Sequence, residues 1–148
     1  MKKILFISSS RADYGLLRNI ILETKKNKKI KVFVLVTGSH LSKEFGNTIK
    51  EIEKDGLKKY IIKKRVLKKN FFEKDISKYI SQTITSTSNT LEKIKPEKVV
   101  ILGDRYELLG CAIASMSHRI PIVHIHGGEV TAGAIDDSTP QGAEEGLQ

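Results

Sequence analysis

Two kinds of hydrophobic pattern alternate along this chain. Four short stretches are almost continuously apolar: "ILFIS" within residues 1–8, "IKVFVLVT" at 30–37, "KVVILG" at 98–103 and "IPIVHIH" at 120–126. Runs of that length belong to strands buried on both faces, as in parallel sheets. A weaker run, "LKKYIIKKRV" at 57–66, predicts one more strand. Between the runs, apolar residues return at helical spacing. They do so in "YGLLRNIILETKK" (14–26), in the second half of "LSKEFGNTIKEIEKDG" (41–56) with Gly56 as its stop, across 71–95 up to Pro96, and in "YELLGCAIASMSHR" (106–119). "SSSRADYG" (8–15) reads as a turn. Strand and helix in alternation predict an α/β fold, a Rossmann-like doubly wound parallel sheet.

In such a sheet, ligands bind beyond the carboxyl ends of the strands. The polar residues of unusual type fall there. The first strand leads to Ser8, Ser9, Ser10, Arg11 and Asp13, the second to Thr37, Gly38, Ser39 and His40. "VVIL" leads to Gly103, Asp104, Arg105 and Glu107, and the last run to His124, His126, Gly127, Gly128 and Glu129. An arginine beside a helix start suits a phosphate, which it grips with two parallel hydrogen bonds. Gly127 and Gly128 let backbone amides approach a ligand, or form only a tight turn. Glu129, at the edge of a cleft, has the character of a general acid or base. Asp104 has a plainer reading as the N-cap of the helix beginning near Tyr106. His124, among Ile and Val, reads as a core histidine rather than a ligand, although alternation puts it on one strand face with His126.

Composition narrows this picture at three points. The 148 residues fit one domain, and the single Cys111 forbids an internal disulfide, which sets the expectation of a reducing cytoplasm. The formal charge of +9 is mostly lysine on solvent-facing helix positions, without the aromatic interleaving or zinc spacing of a nucleic-acid binder; an anionic small ligand suits it equally. No apolar run approaches the length needed to span a bilayer, and no membrane partner is expected. Neither G-x-G-x-x-G nor G-x-x-x-x-G-K-[ST] occurs, so an NAD-type Rossmann domain and a P-loop NTPase are both disfavoured. The histidines make no familiar metal spacing, so no metal site is expected.

"SSRADYGLLR", "TGSHLSKEFGNTIKEIEKDG", "GDRYELL" and "HIHGGEVTAGAIDDS", in that order, resemble the hydrolysing UDP-N-acetylglucosamine 2-epimerases of sialic acid biosynthesis. The resemblance runs from residue 1 to about 138. It implies the N-terminal half of a GT-B-like enzyme, in which two Rossmann-like domains face each other across a cleft, and no cofactor. It implies conversion of UDP-GlcNAc and water to ManNAc and UDP, through elimination of UDP to a 2-acetamidoglucal and addition of water. By matching motifs, Arg11 and Arg105 become phosphate contacts, and Asp104 and Glu129 the acid/base candidates, with the choice of C2 base left open. His40, Gly127, Gly128, Asp136 and Asp137 become further substrate contacts. The partner implied is UDP-GlcNAc or a related nucleotide sugar, with a homo-oligomer in the full-length form.

After Ser138 the family continues with a segment of the type I-R-H-x-I-T-K, whereas this chain reads "TPQGAEEGLQ". No Lys or Arg follows Arg119 in a chain otherwise rich in lysine. The expectation is therefore an incomplete N-terminal domain over 1–138, a divergent tail over 139–148, an absent C-terminal domain, and no turnover by this chain alone. The alternative is a non-catalytic nucleotide-sugar-binding half-domain, which needs Arg11 and Arg105 but neither Asp104 nor Glu129.

Overall fold

A computed structural model describes residues 1–37, 49–58, 61–63 and 76–127. Five parallel strands stand in the order β3-β2-β1-β4-β5: β1 (Lys2–Ser8), β2 (Ile30–Val36), β3 (Ile61–Lys63), β4 (Lys98–Leu102) and β5 (Ile122–Ile125). The helices are α1 (Arg11–Lys26), α2 (Ile49–Ile52), which runs into a π-helical turn at Glu53–Leu57, α3 (Ile76–Ile94) and α4 (Tyr106–Ser117). The doubly wound parallel sheet is as the apolar runs predict. The described part of the long third helix starts at Ile76; residues 71–75 lie outside the described residues.

Side-chain alternation along the strands divides the core in two. Phe6, Val32, Val34, Val36, Val100 and Leu102 face one way and pack with Tyr14, Leu17 and Ile21 of α1 and with Ile49, Ile52 and Leu57. Leu5, Ile7, Leu35, Val99 and Ile101 face the other way, onto Leu91 and Ile94 of α3 and Leu108, Cys111 and Ala114 of α4. Gly110 sits at the α3–α4 contact, where an added Cβ would lie 3.0 Å from the Ile80 carbonyl and the Thr83 side chain. Gly56 kinks its helix rather than ending the element: it takes φ 71° inside the turn that runs on to Leu57, a left-handed conformation that glycine adopts without steric cost.

Three expectations are corrected. Residues 11–15 are helix rather than turn, because Ser10 and Asp13 form a capping box that starts α1 at Arg11. His124 is exposed rather than in the core, because β5 is the last described strand of the sheet and its burial runs from intermediate to exposed. The strand also ends at Ile125 and His126 follows with φ 52°, so alternation does not carry both histidines onto one face.

Candidate active site

The order 3-2-1-4-5 makes β1 and β4 neighbours from which the chain leaves towards opposite faces of the sheet. That is the topological switch point, where doubly wound sheets open a ligand crevice. Two turns border it. One joins β1 to α1 and carries Ser9, Ser10, Arg11 and Asp13; the other joins β4 to α4 and carries Gly103, Asp104 and Arg105.

In the first turn, Asp13 is almost fully buried. Its Oδ2 accepts hydrogen bonds from the Ser9 amide (3.2 Å), the Ser9 hydroxyl (2.6 Å) and the Ser10 amide (3.0 Å). The Asp13 amide donates in return to Ser10 Oγ at 3.2 Å. Arg11 lies at the start of α1, largely exposed, and its Nε meets Glu51 at 3.1 Å. The structure therefore engages this arginine with α2 rather than with the β4 turn.

The second turn is built differently. Gly103 takes φ 84°, a conformation costly for any residue with a Cβ. The N-cap of α4 is Arg105, whose side chain makes no capping hydrogen bond, so Asp104 lies one residue before the position it would need as a cap. Arg105 turns instead to Glu107, donating from Nε to Oε1 at 2.7 Å. Glu107 is buried, with 3% of its side chain exposed against 43% for Arg105. Its Oε2 is buried without a hydrogen-bond partner among the described residues. Partial burial pulls the Arg105 pKa down, but the charge and hydrogen bond of Glu107, helped by Asp13, outweigh it and leave the guanidinium firmly protonated. That Asp13 acts on Arg105 places the two turns within electrostatic reach of each other.

Beneath them, burial first and the Glu107 charge second push the Tyr79 phenol upward, so it stays neutral. Tyr79 meets the Tyr106 ring edge-on, with centroids 6.1 Å apart. Cys111 is buried and its thiol is pushed up to about 12 by desolvation, which makes it inert as a nucleophile.

The β5 end is tied to the same place. Gly103 donates its amide to the Ile125 carbonyl at 2.9 Å. His124 Nε2 lies 2.5 Å from the Gly103 carbonyl, which can only accept, so that nitrogen carries the hydrogen. Gly127 packs under the His124 ring so closely that a Cβ there would overlap it, which gives this glycine a steric reason. Gly128, Glu129, His40, Asp136 and Asp137 lie outside the described residues. Among the sequence-predicted residues, then, Asp104, Arg105 and Gly127 come to one locus, while Arg11 pairs with Glu51.

Two structural features, a capping box and the burial of Glu107, went unread in the sequence. "SRAD" has the spacing of a capping box, which would have moved the helix start to Arg11. Glu107 stands one helical turn before the buried Cys111, a charge on an apolar stripe, and that is the signal of a specific partner. Among the described residues, no group of three or more His, Cys, Asp or Glu is placed to hold a metal ion, and no helix is long and apolar enough to cross a membrane.

Comparison with known proteins places the chain in a family. Residues 22–141 match the family described as UDP-N-acetylglucosamine 2-epimerase. A GDP/UDP-N,N'-diacetylbacillosamine 2-epimerase (hydrolyzing) of Campylobacter jejuni is 44% identical over 93% of this chain and 35% of its own length. A polysialic acid biosynthesis protein of Escherichia coli is 37% identical over 93% of this chain and 35% of its own. The chain thus spans about a third of the length of these curated relatives. Among solved structures, a UDP-N-acetylglucosamine 2-epimerase aligns with TM-score 0.73 at 20% identity, covering 88% of this chain and 34% of that one. The UDP-GlcNAc 2-epimerase from Neisseria meningitidis bound to UDP-GlcNAc aligns with TM-score 0.67 at 24% identity over 88% and 34%. At these identities the two structures establish the fold, the Rossmann-like N-terminal part of a GT-B-like enzyme.

Proposed function

We propose a function from one established premise: this chain belongs to the UDP-N-acetylglucosamine 2-epimerase family. The reading is a hydrolysing 2-epimerase that converts UDP-GlcNAc and water to ManNAc and UDP, for which this chain supplies the N-terminal wall of the cleft. The observation that carries it is the β4–α4 turn at the switch point. There a fixed, charged Arg105 follows Asp104 beside a helix start with no side-chain cap, an arrangement suited to a diphosphate leaving group next to a carboxylate.

In this reading a carboxylate, Asp104 or Glu129, removes the C2 proton. The electron pair forms the C1–C2 double bond as UDP departs with the C1–O pair. Water then adds its oxygen to C1, and a proton returns to C2 on the opposite face. Arg105 stabilises the charge that develops on the diphosphate, joined by Arg11 once that side chain leaves Glu51. His40, Gly127, Gly128, Asp136 and Asp137 line the sugar side. The nucleotide sugar is the partner, in a homo-oligomer of the full-length form, and a cytoplasmic setting suits the single buried cysteine.

A second reading concerns the sugar. The relatives from Campylobacter jejuni and Legionella pneumophila, 44% and 35% identical, are both named for N,N'-diacetylbacillosamine, which favours a UDP- or GDP-linked diacetamido sugar as the alternative substrate.

The test is incubation of the full-length polypeptide carrying residues 1–138 with each nucleotide sugar in D2O, followed by proton NMR. Release of UDP with one deuteron at C2 of the freed sugar is the expected result. Binding without turnover, unchanged by Glu129→Gln, would sink the enzymatic reading in favour of a non-catalytic binding half-domain.

A further inference from the structure

Glu107 has features that fold stability does not account for. It is a carboxylate buried on the apolar stripe of α4, yet only one of its oxygens has a partner among the described residues, and that partner is a half-exposed arginine. A buried ion pair of this kind is often no more stabilising than an apolar side chain of the same volume. The contact is also one-sided. Glu107 takes the Nε–H of Arg105, not the fork of Nε and Nη that a bidentate pair would use. The Nη groups of Arg105 carry four more N–H donors, and none has a hydrogen-bond partner among the described residues.

We propose that Glu107 is a positioning residue for nucleotide binding: it holds Arg105 by Nε at the switch point and so keeps the Nη edge available for a diphosphate. The inference rests on the proposed reading of the cleft and deepens it, since it names the group that sets the phosphate-binding arginine. Glu107 touches no substrate. It acts through Arg105 by limiting the rotamers of a long side chain that is otherwise half in solvent, so less ordering remains to be done when the phosphate arrives. Burial makes the anchor stiff, because a carboxylate packed on the α4 stripe has no room to follow a moving guanidinium.

A double-mutant cycle tests this by calorimetric titration with UDP, alongside thermal melts. Glu107→Met keeps the volume and removes the acceptor. It is expected to melt at or above the wild-type temperature while UDP affinity falls about ten- to a hundredfold, the value of one charge-assisted hydrogen bond. In an Arg105→Ala background, the same substitution is expected to leave UDP affinity unchanged within about twofold, because the residue acts only through the arginine. Should the Met variant not fold, Glu107→Gln runs the same cycle with a weaker acceptor in place. An equal loss in both backgrounds, or no loss in the wild-type background, overturns the inference while leaving the nucleotide reading intact. A wild-type protein that binds neither UDP nor GDP overturns that reading, and this inference with it.

Discussion

The β1–α1 and β4–α4 turns follow neighbouring strands at the switch point, but they use their polar groups in opposite ways. The first is closed on itself: Ser9, Ser10 and Asp13 satisfy one another, and Asp13 is buried in doing so. The second leaves its helix start without a side-chain cap, holds Gly103 in a left-handed conformation, and pairs Arg105 with a carboxylate that is itself half-satisfied. Equivalent positions in one fold thus divide the labour. One turn fixes the frame; the other departs from local rules, and in the proposed function such departures are expected to collect where a ligand binds.

Substitutions can break this division, and the largest expected effect is on the open side. Asp104→Asn should lower kcat for release of UDP by roughly a hundred- to ten-thousandfold, as removal of a general acid or base does, with stability changed by less than about 1 kcal/mol. Steady-state assay of the full-length polypeptide and a urea melt check the two halves of that statement. On the closed side the order reverses. Asp13→Ala leaves the Ser9 hydroxyl and two amides without their acceptor and should cost about 2–3 kcal/mol in the same melt.

Glycines sharpen the contrast at the level of packing. Gly110→Ala forces a methyl against the Ile80 carbonyl and Thr83 and should destabilise by about 1–3 kcal/mol. Gly15→Ala, in α1 where an added Cβ meets nothing within 4 Å, should stabilise by about 0.5–1 kcal/mol. Thermal melts of both variants should move in opposite directions.

The smallest effect concerns pH. Arg18 grips Asp55 through two hydrogen bonds and Tyr14 adds a third, which lowers the Asp55 pKa despite partial burial. A carboxyl depressed in the folded state stabilises above its unfolded pKa, near 3.9, and loses that contribution as pH falls through the folded value. Asp55→Asn should therefore flatten the fall in stability below about pH 4, read from melts across the acid range.

The elements were largely legible in the sequence, because burial on both faces writes continuous apolar runs and helix faces write a period near 3.6. "IKVFVLV" and "KVVIL" became β2 and β4 almost to the residue. Edges were harder to read. His124 looked like core because "IVHI" is apolar in composition, and composition does not say that a strand lies at the margin of the sheet. At the site, Asp104, Arg105 and Gly127 stood out by residue type. Pairings such as Arg11 with Glu51 or Arg18 with Asp55 join residues far apart in sequence, and no local pattern announces them. Glu107 was visible as a charge, but its role appears only with its burial.

The register of the central strand bears on how the crevice assembles. β1 pairs Lys2 with Ile30 on one side and Ile4 with Lys98 on the other, so the second pairing closes a loop more than three times as long. Closing it costs about 1 kcal/mol more in chain entropy. The β1–α1–β2 unit is therefore expected to form early and the β1–β4 seam late, which makes the crevice the last part of the sheet to be zipped. What closes last at such a cost tends to open first. Amide hydrogens along the seam, such as that of Val100 opposite β1, are then expected to exchange before those of β2, and a nucleotide bound across it should slow them.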